Sequence, residues 1–321
     1  MKDMGLATFK PGILLALAFL PFLLGGNAGS GDFPPAGSTP IPTDSIPFWL
    51  FFTEEGWEAE ERSPGEMALP GRLRTRSSWL RAVSVYLPHQ DVSRLHELPG
   101  VDRVRPVRRL KRLAPGKLTV RHSRPFGTAD SPPVQTDTTY GDLAPILQEL
   151  QLLAVHELGF LGTGTRIGIL DGYFFPGHSV MRSNPPLATR NFVEGGSSVE
   201  PRPGDPPGLA DHGTGLWSLI SGDLPGSLIG AAPKAEILLA RIQSGEEPPG
   251  ADEDRWVEGL EWLETQGARV VLSGVGFRNF EGGGYTAGDL DGDVAPATLA
   301  ADEAAWITGS TLTINGGQFM D

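Results

Sequence analysis

The chain has 321 residues, of which 39% are apolar and 20% charged; that is room for one large globular domain and a smaller one, and it excludes a fibrous or low-complexity chain. There is no cysteine, so neither a disulfide framework nor a cysteine nucleophile is available. The formal charge of −13 is unevenly spread, because residues 71–125 hold 14 of the 26 Lys and Arg but only 3 of the 39 Asp and Glu. A basic module beside a strongly acidic remainder points to mutual docking within the chain rather than to nucleic acid.

Residues 1–28 have the pattern of a secretory signal peptide. Lys2 and Lys10 precede an apolar run from Ile13 to Leu24, and Gly26-Asn27-Ala28 offers small residues for cleavage. At about 1.5 Å per residue that run covers about 18 Å, short of a hydrocarbon core of about 30 Å, so no stable membrane span is expected and the product is expected outside the cytoplasm. Residues 29–47 form a linker rich in Gly, Pro and Ser. Phe48–Phe52 and Arg81–Leu87 read as strands, Pro88 opens a helix through Leu98, Gly100 stops it, and Val101–Val107 alternates as a third strand. Residues 48–112 are therefore a small α+β module. It ends in Arg108-Arg109-Leu110-Lys111-Arg112, which is either a dibasic processing site or a solvated charge run. A connector, 113–139, follows.

From Tyr140 the pattern alternates between helix and strand. It predicts a helix over Leu143–Leu158, a strand Arg166–Leu170 closed by Asp171, a helix over 211–221 capped by Asp211 and ended by Gly222, and a strand Glu236–Ala240. A helix Asp252–Gln266 stopped by Gly267 and a strand Arg269–Val275 complete the series. Such alternation implies an α/β fold with a doubly wound, mostly parallel sheet, whose ligands gather outside the carboxyl ends of the strands. Asp171 lies at such an end. His212, 41 residues later at a helix start, can meet it there; the carboxylate then accepts from the imidazole Nδ1–H, fixes the tautomer and steadies the imidazolium. The other reading of such a pair is purely structural.

Thr163–Asp171 resembles the aspartate motif of subtilisin-like serine proteases, and His212-Gly213-Thr214 resembles their histidine motif, in the family's order. Gly230–Glu236 is similar to the segment after the histidine helix. Trp256–Leu272 is similar to the helix and strand before the substrate-binding edge, which would here be Ser273, Gly274, Val275 and Gly276. Residues 48–112 resemble an inhibitor-type propeptide, and 140–302 a partial peptidase domain. The resemblance implies a secreted endopeptidase precursor with Asp171 and His212 catalytic, a polypeptide substrate, propeptide–peptidase docking within the chain, and no cofactor.

Departures qualify that expectation. Gly172-Tyr173 follows the aspartate where the family has Thr or Ser and then Gly, and Gly274 stands where a serine is common. After His212 neither an oxyanion asparagine nor a Gly-Thr-Ser motif occurs, and Ser218, Ser221, Ser227, Ser244, Ser273 and Ser310 are not in the expected turn. No nucleophile is assigned, and the chain is expected to be truncated before it and inactive as encoded. The alternative is a non-catalytic binding or inhibitory pseudoprotease. Residues 303–321 form a tail, and Ala301–Gly317 resembles the last segment of short-chain dehydrogenases; yet Gly162, Gly164 and Gly168 have the wrong spacing for a dinucleotide turn. Asp289, Asp291 and Asp293 mimic a calcium loop, but Val294 and Ala300 occupy the places that need Gly and a bidentate acid, so no metal is assigned.

Overall fold

The computed structural model describes residues 45–275 except 63–68, 70, 109–138, 142, 204, 206–209 and 244–251. The signal segment, both linkers but for a few residues, Gly276, the acidic triplet at 289–293 and the dehydrogenase-like tail lie outside the described residues. Those that are described fall into two compact units, 45–107 and 108–275.

The first unit is one antiparallel sheet with two helices. Its elements are β1 (Ser45–Phe52), α1 (Glu54–Arg62), β2 (Arg72–Ser77), β3 (Ala82–Pro88), α2 (Val92–Leu95) and β4 (Val101–Pro106). The sheet order is β2-β3-β1-β4. Strand alternation sends Phe48, Leu50, Phe52, Val83, Val85 and Leu87 to one face, where Trp57 of α1 and Leu95 of α2 close the core. Register puts Arg105 opposite Trp49, Arg103 opposite Phe51 and Arg72 opposite Tyr86, so the face turned away from the helices is a belt of arginines among aromatic rings. Arg103 lies 4.4 Å from the Phe51 ring centre and Arg74 lies 4.9 Å from that of Tyr86.

The second unit begins with two short helices, α3 (Ala144–Glu149) and α4 (Leu152–Glu157). It continues with β5 (Arg166–Asp171), β6 (Ala188–Asn191), α5 (Asp211–Ser221), β7 (Asp223–Leu224), β8 (Leu228–Ile229), β9 (Glu236–Arg241), α6 (Glu253–Thr265) and β10 (Val270–Ser273). Four strands form a parallel sheet in the order β10-β5-β9-β6. Both faces are covered, which explains the unbroken apolar runs in β5 and β9. On one face Ile167, Ile169, Ile237 and Leu239 pack with Trp217 of α5. On the other, α6 lies close against β5. A Cβ on Gly168 of β5 would stand 2.7 Å from Leu263 of α6, and one on Gly259 of α6 would stand 2.7 Å from Leu170 of β5. Two glycines thus admit two leucines, and the helix is set down on the strand that ends in Asp171.

The observed sheet is the doubly wound α/β arrangement the alternation implies, with local differences. The expected helix 143–158 is broken: Gln151 takes a left-handed φ of 59° and separates α3 from α4. Asp211 is not the cap of α5. Ala210 occupies that place with no side-chain bond, and Asp211 sits in the first turn, where its charge still suits the helix dipole. Pro88 ends β3 instead of opening a helix, and the helix that follows keeps only the four residues of α2. Strands β2 and β6 and helix α1 had no sequence counterpart.

The Gly168–Leu263 contact is testable by filling it. Gly168→Val is expected to destabilise the chain by about 1–3 kcal/mol, as overpacking does, read as a lower urea midpoint. Adding Leu263→Ala should recover part of the loss. An unchanged midpoint in the single variant would contradict this packing.

Candidate active site

The site is assembled where β5 ends and α5 begins. β5 is held between β9 and β10, so the carboxylate that terminates it, Asp171, is only 2% exposed. Burying a carboxylate is unfavourable unless donors surround it. The Gly172 N–H donates to its Oδ1 at 2.6 Å, and the His212 Nδ1–H donates to its Oδ2 at 2.8 Å. Because a carboxylate only accepts, this bond fixes the proton on Nδ1 of the neutral ring and leaves Nε2 as the basic nitrogen. The imidazole itself is 57% exposed. A buried acceptor thus orients an accessible base, the arrangement general-base chemistry needs.

The sheet edge beside Asp171 is equally constrained. The Gly274 N–H donates to the Leu170 carbonyl at 2.8 Å, extending the β10–β5 ladder past the end of β10. A Cβ on Gly274 would overlap Asp171 Oδ2 and stand 2.5 Å from Leu216 of α5. Glycine at 274 leaves that space to the carboxylate. The Ser273 hydroxyl turns away, accepting from the Trp256 indole N–H at 2.9 Å and donating to the Val275 carbonyl at 2.7 Å. Of the residues expected on this edge, Ser273, Gly274 and Val275 are brought beside the Asp171 strand, with Ser273 tied into α6.

None of the described serines after His212 has the setting of a nucleophile. Ser218 bonds the Gly215 carbonyl within α5 at 2.6 Å, Ser221 is buried at the end of that helix, and Ser227 lies in the β7–β8 turn. Among the described residues no group of three or more His, Asp or Glu could hold a metal ion, and no helix is long and apolar enough to cross a membrane.

Sequence reasoning passed over a second group beside the site. Arg241 ends β9 in register with Asp171 and is 1% exposed. Its guanidinium stands 3.8 Å from the Tyr173 ring centre and donates to the Tyr173 hydroxyl at 2.6 Å. It also reaches both Glu194 oxygens, at 3.0 and 3.2 Å. Arg202 pairs with the same Glu194 at 2.7 Å. Glu194 is presented by a turn built on Asn191, whose Oδ1 accepts from the Val193 and Glu194 N–H groups at 3.0 and 3.1 Å. Burial alone would push the Glu194 carboxyl up, but the hydrogen bond and charge of Arg241, with Asn191 and Arg202, hold it below the ordinary carboxylate value. Burial pushes the Tyr173 hydroxyl up, and the Arg241 charge offsets only part of that. The available signal was a lone arginine closing an otherwise apolar buried strand.

No protein-family model matches this sequence, and no curated protein does. Solved structures do. Fervidolysin from Fervidobacterium pennivorans, a keratinolytic enzyme related to subtilisin, superposes with a TM-score of 0.50 at 17% identity, over 81% of this chain and 38% of its own. The epidermin leader peptide processing serine protease of Staphylococcus aureus superposes with a TM-score of 0.49 at 10% identity, over 81% of this chain and 58% of its own. The chain therefore shares the mixed α/β fold of fervidolysin, and spans 38% of that protein's length.

Proposed function

We propose that the chain is a secreted subtilisin-like serine endopeptidase precursor. Residues 1–28 direct export, 48–112 serve as an inhibitor-type propeptide, and 140–302 form the partial peptidase domain. In this reading Asp171 orients and His212 is the general base, while Ser273, Gly274, Val275 and Gly276 form the edge along which an extended polypeptide lies. The observation that carries it is the 2.8 Å bond from His212 Nδ1 to the buried Asp171. That bond sits at the carboxyl edge of a parallel sheet, in a fold shared with an enzyme related to subtilisin.

Two of the three side chains such chemistry uses are present, and among the described residues no serine takes the part of the attacking hydroxyl. By itself the chain binds peptide without hydrolysing it; in subtilisin, loss of the serine alone lowers turnover by about 10⁶. What favours a binding or inhibitory role beside the precursor role is charge. Residues 71–125 hold 14 of the 26 Lys and Arg and only 3 of the 39 Asp and Glu, and the sheet of residues 45–107 carries Arg72, Arg103 and Arg105 among aromatic rings on its helix-free face. The basic module and the acidic remainder of the chain are thus complementary in charge, as docking between propeptide and peptidase would require.

Three outcomes follow. The 321-residue chain should cleave a chromogenic peptide no faster than its His212→Ala variant; robust hydrolysis abolished by that variant and by a fluorophosphonate would overturn the inactive reading. An extended peptide at millimolar concentration should shift the amide signals of Ser273, Gly274 and Val275, and unmoved signals would contradict the protease reading. After limited proteolysis within residues 109–138, the two halves should co-elute at low salt and separate at high salt. Separation of the native halves at low salt would contradict docking.

A further inference from the structure

We propose that Arg241 is a positioning residue for the Asp171–His212 pair. Its buried guanidinium, pinned between Tyr173 and Glu194, holds the strap of residues 172–175 that ties Asp171 to the first turn of α5. The inference rests on the reading of that pair as orienter and base.

Each residue of the strap grips a different neighbour. The Gly172 N–H donates to Asp171 Oδ1, and the Tyr173 side chain is held by Arg241. The Tyr173 carbonyl lies so close to Gly213 that a Cβ there would overlap it, and the Phe174 ring would stand 3.1 Å from the same atom. The Phe174 N–H donates to the Val199 carbonyl at 3.0 Å, and the Phe175 N–H donates to the Thr214 hydroxyl at 3.0 Å. Gly213 and Thr214 directly follow His212. The strap therefore joins the carboxylate to the turn that carries the imidazole, and Tyr173 is the one side chain in it bound to a buried charge.

Arg241 is anchored independently of the strap. Its strand pairs with β5 residue for residue as far as Asp171, its carbonyl accepts from the Phe192 N–H at 2.9 Å, and the next N–H, of Ile242, donates to the Asp171 carbonyl at 2.9 Å. Backbone therefore fixes Arg241 relative to Asp171, and the guanidinium transmits that position to Tyr173. Stacking on the ring, bonding its hydroxyl and forking onto Glu194 all at once needs a planar cation; a lysine offers only a point charge. The Arg241 Nε is also buried without a hydrogen-bond partner. An apolar side chain would suit a stability role at this place better than a buried cation with an unpaired donor, whereas a brace beside the site needs the charge.

The test follows the hydrogen-bonded Nδ1–H proton of His212 by NMR in the full chain labelled with ¹⁵N-histidine, assigned by its disappearance in His212→Ala. In native protein the resonance should be present. In Arg241→Met, which keeps the length and loses the charge, it should be lost while the β5 and β9 amide signals persist. Arg241→Lys should restore it in part, and Tyr173→Phe should weaken it. An undiminished resonance in folded Arg241→Met overturns the proposal. If that variant does not fold, an undiminished resonance in Tyr173→Phe does so. Absence of the resonance from the native chain defeats the reading of the pair, and this inference with it.

Discussion

A carboxylate withdrawn from water at the end of a central strand is the constraint on which the rest depends. Asp171 is buried because β5 is flanked on both sides by paired strands and covered by helices on both faces. Charged oxygens in such a place require donors, and those found are a backbone N–H one residue on and an imidazole 41 residues on. The requirement therefore dictates where α5 must begin, and the exposed half of the imidazole follows from it.

Close backbone approach is what makes that geometry reachable. Gly213 lets the first turn of α5 press on the Tyr173 carbonyl, and Gly274 leaves room for Asp171 Oδ2 at the neighbouring strand. Any side chain at either place would collide with the groups that define the site. The ionic cluster of Arg241, Glu194 and Arg202 lies just outside this inner contact. Because Arg241 sits opposite Asp171 in the sheet, the same register that aligns the strands aligns the cluster with the carboxylate. Fold and site are then two consequences of one strand pairing.

Much of this was legible in the sequence because it is written in short-range patterns. Helix α5 has the expected bounds, since Leu216, Trp217 and Ile220 recur at helical spacing and Gly222 follows. Strands β5 and β9 stood out as continuous apolar runs, and Asp171 as the charge that ends one. What was missed lacks such a signal. Strand β2 alternates arginines, and α1 has only Trp57 and Ala59 as apolar side chains, so neither shows an apolar face. The break at Gln151 rests on a left-handed backbone that a glutamine does not announce. The partners of Arg241 lie 47 and 68 residues away, and only tertiary structure brings them together.

The central claim is that Asp171 fixes the tautomer and orientation of His212. The most direct measurement is the pair of side-chain ¹⁵N shifts of His212 at neutral pH, in the native chain and in Asp171→Asn. The account predicts a neutral ring protonated at Nδ1 and unprotonated at Nε2 in the native chain, and a mixture of tautomers or the opposite one in the variant. A native ring protonated at Nε2, or shifts identical in the two proteins, would contradict it.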